Sequence, residues 1–207
     1  MKNKKAFTLV ELMIVIAIIG LLVSMLTPMI SSAMRKAVAT NSKTFMSNMG
    51  MALTRYKDDN GDYPDFIKPS TRVNLDDADN AASLYKALTG KNPDGSRLSS
   101  EDSRRLNRRR SNYMDFNMNS IVNKNGKWKI VDGFGNPNIY ICVAEGDDTH
   151  IKSGFPTRKD GIDSEVLREI VPNPSEGLRS KVILFTLKKD GERETADYSA
   201  EDIFSWY

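Results

Sequence analysis

Histidine and cysteine are nearly absent: His150 and Cys142 are single copies in a chain of 207 residues. One cysteine excludes an intramolecular disulfide. One histidine and one cysteine, far apart in different settings, exclude Cys/His nucleophiles and His-rich metal sites, which need a base or several ligands together. A charge excess of one sign is missing too. Thirty Lys and Arg face 27 Asp and Glu, and three of the lysines (Lys2, Lys4 and Lys5) stand in the first six residues. Beyond those six, 27 basic residues face 27 acidic ones, so no global field calls for nucleic acid or an anionic membrane surface. Hydrophobic residues at 40% and charged residues at 28% describe a globular chain rather than a disordered one. The length suits one compact domain plus an extra element. Without a disulfide, an exported domain must be held by its core, by a metal or by its neighbours.

What is present begins with one long apolar run from Phe7 to Ile30, preceded by the basic stretch MKNKKA. As a helix the run spans ~36 Å, enough for a ~30 Å hydrocarbon core. The lysines before it favour a cytoplasmic N-terminus; Arg35 and Lys36 on the far side weaken that bias without reversing it. Three readings compete. The run is a secretory signal cut at Ser31-Ser32-Ala33, an uncleaved anchor, or a segment kept after a short leader is clipped in front of it. Glu11, the one charge inside the run, discriminates. A carboxylate near the bilayer centre costs roughly 2.5–3.5 kcal/mol on insertion scales, and only the third reading gives it a role.

The stretch Ala6-Phe7-Thr8-Leu9-Val10-Glu11-Leu12-Met13-Ile14-Val15-Ile16-Ala17-Ile18-Ile19-Gly20 resembles the class III signal of type IV prepilins and type II secretion pseudopilins. The resemblance implies cleavage by prepilin peptidase between Ala6 and Phe7, followed by methylation of the Phe7 amine. Ala6 departs from the family's usual glycine but is also small. Glu11 lies one turn from Phe7, ~6 Å along the axis, and is positioned to meet the Phe7 amine of a staggered neighbour. Pairing removes two uncompensated charges from an apolar fibre core together. Pro28 stands where pilins of this family also carry a proline. It cannot donate to the carbonyl of Ser24, so the helix is expected to kink or loosen there. Gly20 and Ser24 form a small pair at i, i+4 that permits close helix approach.

Farther along, Met34, Val38, Phe45, Met49, Ala52 and Tyr56 recur as an apolar stripe, which predicts that the helix continues with one face in a core. Asp58-Asp59-Asn60-Gly61-Asp62-Tyr63-Pro64 ends it with turn chemistry and resembles the family's YKxDNGxYP. Ala81 to Leu88 reads as a short helix stopped by Gly90, with Asn92-Pro93-Asp94-Gly95 as a turn. Arg104, Arg105, Arg108, Arg109 and Arg110 read as a solvated face, because few aromatics and no nucleic-acid fold accompany them. Trp128 to Val131, Ile139 to Ala144 and Val182 to Lys188 read as strands, and Ser164 to Val171 as a short helix. Asp132-Gly133-Phe134-Gly135-Asn136-Pro137 resembles the D-P-W-G-x-P corner of major pseudopilins. Cys142, within an apolar strand, reads as a buried inert thiol, and His150 as a solvated loop residue.

The end of the chain resembles the calcium loop of major pseudopilins, with Asp190-Gly191 early and Asp202-Ile203 before Trp206. The resemblance implies a backbone oxygen from Leu187 and carboxylates from Asp190 and Asp202, with Asp197 and Glu201 as further candidates for Ca²⁺. Arg193 opposes a cation, and an acidic loop without metal is the alternative.

The expected fold is α+β and type IV pilin-like: a long N-terminal helix, half membrane-spanning and half amphipathic, packed on a small antiparallel sheet of three or four strands. Residues 1–6 are the leader, 7–30 the transmembrane and filament-core helix, and 31–207 the periplasmic globular domain. The expected function is that of a structural subunit of a type II secretion pseudopilus; a type IV pilin or a competence pseudopilin is the alternative. Expected partners are prepilin peptidase, further copies and other pseudopilins in a filament, the inner-membrane assembly platform and the membrane itself, with no nucleic acid. The expected location is the inner membrane by a single pass. A membrane-anchored periplasmic enzyme is the rival from another class.

Overall fold

The structure is a computed structural model and describes residues 9–146, 148–187 and 202–206. The chain divides into two compact units, Met1–Val38 and Ala39–Tyr207. One helix, α1 (Leu9–Asn60), contributes to both. In the first unit its large apolar side chains, from Leu9 to Met34, are all exposed.

In the second unit α1 becomes one-sided. Ser42, Met46, Met49, Leu53 and Tyr56 are buried at spacings of 4, 3, 4 and 3, with Ala52 beside them. The expected stripe is right at Met49, Ala52 and Tyr56, but Met34 is 64% exposed and Phe45 only half-buried. The true face follows the helical period through a polar residue, Ser42, which an apolar pattern skips. The helix ends at Asn60, where Gly61 takes φ 88°. That left-handed conformation suits glycine and stops the helix, as the turn sequence predicts.

Ile139–Val143 (β4) and Val182–Thr186 (β7) pair antiparallel at the centre of a four-stranded sheet, with Ile141 opposite Leu184. Short strands Val73–Asn74 (β1) and Ile203–Phe204 (β8) complete it in the order β1-β4-β7-β8. Alternation along each strand sends side chains to opposite faces. Ile139, Ile141, Val143 and Leu184 join Met46, Met49 and Leu53 of α1 and Leu84 and Leu88 of α2 (Ala78–Thr89). Cys142, Ile183 and Phe185 pack on the other face with Ile151, Phe155, Ile162, Ile170 and Phe204. Residues 148–181 therefore form a second covering layer, built from β5 (His150–Ile151), α4 (Ser164–Ile170) and β6 (Leu178–Arg179). His150 lies in a strand paired with Arg179, not in a loop.

The helices at 78–89 and 164–170 match the expected ones, and Gly90 with φ 70° caps α2. The strand expected at Trp128–Val131 exists as β3 (Lys127–Ile130) but lies outside the central sheet. It pairs instead with β2 (Ile121–Lys124) across Asn125 and Gly126, both at positive φ (53° and 77°). Asn-Gly is the strongest short-range hairpin signal, because a type I′ turn needs positive φ at both positions.

Candidate functional site

The apolar half of α1 satisfies its own polar groups. Ser24 donates to the Leu21 carbonyl at 2.8 Å, Thr27 to Val23 at 2.9 Å and Ser31 to Thr27 at 3.3 Å. Each hydroxyl is tied to the backbone, as a non-aqueous surrounding requires. The helix is long and apolar enough to cross a membrane by length and composition. It stays helical across Pro28, which withdraws one backbone donor opposite Ser24. Glu11 lies in the first turn of the described helix, on an exposed apolar surface. Ala6 and Phe7 lie outside the described residues.

The corner at 132–138 ties the amphipathic half of α1 to the sheet. The Asp132 carboxylate accepts from the Phe134 and Asn136 amides at 2.8 and 2.9 Å, which closes the turn. Gly133 N–H donates to the buried Ser42 hydroxyl of α1 at 2.8 Å. On the other side, the Asn136 and Asn138 side-chain amides both donate to the Leu187 carbonyl, at 3.2 and 3.1 Å. Both lone pairs of that oxygen are thereby engaged. These amides hold the oxygen that the resemblance assigns to a cation. Asp202 remains a hard oxygen donor of the kind Ca²⁺ takes. Asp190, Asp197 and Glu201 lie outside the described residues.

A second tie crosses the opposite face. Arg72, next to β1, donates to both oxygens of Asp160 at 2.6 and 3.0 Å and to the Gly154 and Phe155 carbonyls at 3.0 Å. Its guanidinium lies 5.2 Å from the Tyr140 ring centre and 5.3 Å from that of Phe185. Burial opposes ionisation of Asp160, yet the hydrogen bonds from Arg72 and Thr157 prevail and hold its pKa below the usual carboxylate value. Nearby, burial pushes the Cys142 thiol up to about 12 and its Sγ donates to the Gly154 carbonyl at 3.1 Å. Such a thiol is inert near neutral pH, as the sequence predicts.

The arginine-rich segment is solvated. Arg105 pairs with Asp65 at 3.0 Å and Arg109 with Asp59 at 3.8 Å, all four side chains close to half exposed or more. Tyr56 beneath donates to the Leu106 carbonyl at 2.8 Å, and burial raises its pKa to about 12. His150 sits 3.7 Å from Asp148 and takes part in no cluster of three or more metal-ligand side chains among the described residues.

The signature described as the prokaryotic N-terminal methylation motif matches residues 1–27. Type II secretion system core protein G of Pseudomonas aeruginosa is 35% identical over 89 residues. The N-terminal part of this chain therefore resembles a pseudopilin. The match covers 43% of this chain and 55% of that relative, so the chain spans about half of the relative's length. No solved structure gives a match. The fold is α+β and type IV pilin-like, the amphipathic part of a long N-terminal helix packing on a small antiparallel sheet. The sequence reading missed Ser42, Arg72, Asp160 and Asn138, which hold the domain together. They are polar residues whose partners lie 49 to 91 positions away, and no local pattern signals such pairs.

Proposed function

We propose that this chain is a structural subunit of a type II secretion pseudopilus, clipped by prepilin peptidase between Ala6 and Phe7 and methylated on Phe7. The observation that carries the reading is the methylation motif at residues 1–27 continuing into an exposed apolar helix whose early charge is Glu11. Exposed leucine, isoleucine and methionine over six turns are not packed by any of the described residues. A membrane before assembly, and neighbouring helices after it, supply that packing. The chain anchors in the inner membrane with its N-terminus cytoplasmic and its sheet domain periplasmic. Its partners are the peptidase, further copies, other pseudopilins and the assembly platform. A type IV pilin or a competence pseudopilin uses the same segment and is the second reading. Enzymatic chemistry is no part of the proposal.

A calcium ion on the C-terminal loop belongs to the same reading, held by the Leu187 carbonyl and the carboxylates of Asp190, Asp197 and Asp202. The test of the main proposal is mass spectrometry of the membrane-extracted protein. The mature chain is expected to begin at an N-methylated Phe7 and retain the apolar segment. A terminus near Met34 would replace the reading with ordinary secretion.

A further inference from the structure

The unit Ala39–Tyr207 carries two surfaces of opposite character at opposite ends of its stretch of α1. At one end, beside Thr40, lies a groove of about 280 Å³ with Val166 and Ile203 in its wall and Asp163 and Glu169 at its edge. Lys43 shares that wall. At the other end, α3 (Ser100–Leu106) and the turn after it are moored to the end of α1 by the Arg109–Asp59 contact. Arg104, Arg108 and Arg110 stand exposed on this knuckle and make no ion pair among the described residues. From Thr40 to Asp59 the helix rises about 28 Å.

We propose that the groove receives a second copy of this chain, which presents the arginine knuckle at 104–110 to the carboxylate edge. The inference rests on the filament reading and names the contact that reading lacks. Two observations select this occupant over another partner: the complementary charge is on the chain itself, and it lies at the far end of the same helix. Arginine suits the groove because its stem packs on apolar walls while the planar fork meets carboxylates. A contact between two different surfaces, displaced along one axis, repeats without closing and builds an open polymer. A two-fold dimer of the same two surfaces would satisfy both at once and stop at two copies, so a ladder beyond dimers distinguishes the open polymer.

The experiment uses the full chain in membranes, with the buried Cys142 left in place. Arg108→Cys and Glu169→Cys together in one chain are expected to cross-link into a ladder of trimers and longer species, and either alone to give none. Glu169→Arg or Arg108→Glu alone is expected to lower polymer yield about tenfold, and the two together to restore it to within about threefold. That rescue separates a lost contact from a misfolded chain, since the two positions lie at opposite ends of the domain. Dimers from a single-cysteine chain overturn the proposal. So does a wild-type chain that polymerises while the double-cysteine chain gives no ladder, an outcome that leaves the filament reading standing. A wild-type chain that never polymerises removes the filament reading and this inference together.

Discussion

Glu11 and Arg72 place charge under opposite conditions. Glu11 sits on an exposed apolar helix, where its value depends on what surrounds it. If its role is to meet the Phe7 amine of a neighbour, Glu11→Ala leaves insertion and cleavage intact and abolishes assembly. Glu11→Asp, with a shorter reach, falls between. Filament yield measured beside leader cleavage decides it, and normal yield from Glu11→Ala removes the pairing. Arg72 has its partners built in. Arg72→Lys keeps the charge but loses the fork that spans Asp160, Gly154 and Phe155, so stability is expected to fall by about 1–3 kcal/mol. The folded pKa of Asp160 is depressed, so its contribution is present above the ordinary carboxylate value. It is lost as pH falls through the folded value, below about pH 4. The acid limb of the stability profile, followed by denaturant titration, is therefore shallower in Arg72→Lys than in the wild type. An equal slope would show that Arg72 does not set the Asp160 pKa.

At the scale of elements, the corner at 132–138 decides how α1 and the sheet fit together. Its hydrogen bonds go to α1 through Ser42 and to the end of β7 through Leu187. Ser42→Ala removes the acceptor of the Gly133 N–H in a buried setting, and an orphaned donor costs about 1–3 kcal/mol. Thermal unfolding of the full chain in detergent is expected to show a lower Tm, with the Ser42→Thr variant closer to wild type. An unchanged Tm in Ser42→Ala would mean that the apolar contacts of Met46 and Met49 suffice. The helices were legible in the sequence because caps and periodicity are local: Asp77 and Gly90 bracket α2, and Asp163 opens α4. β1 and β8 were not, since two residues carry no readable alternation. The β2–β3 hairpin was half legible, its Asn125-Gly126 turn being the available signal.

At the scale of the whole molecule, the sheet domain folds without a disulfide by covering both sheet faces. Phe185 and Phe204 pack under Trp206, whose indole donates to the Ile170 carbonyl at 2.7 Å. That contact ties the end of the chain to α4. Calcium on the preceding loop adds stability by mass action, about 2.7 kcal/mol at a hundredfold excess over Kd. The Tm of the full chain in detergent is expected to rise with millimolar Ca²⁺ and fall with chelator. Asp190→Ala and Asp202→Ala should lose most of that difference. Asn138→Ala lowers the baseline Tm and keeps it. An unchanged melting curve with and without Ca²⁺ would remove the metal and leave the two asparagine amides as what fixes Leu187.

The sequence by itself determined the apolar helix, its single carboxylate, its proline and its stop at Gly61. Each is written in consecutive residues whose physics is local: hydropathy, helical period and turn chemistry. The tertiary structure alone decided which polar residues hold the domain. Ser42 with Gly133, Arg72 with Asp160 and the asparagines with Leu187 join positions far apart in the chain. It also decided that residues 148–181 close over the second face of the sheet, because burial of Cys142, Ile183 and Phe185 there depends on which strands lie side by side.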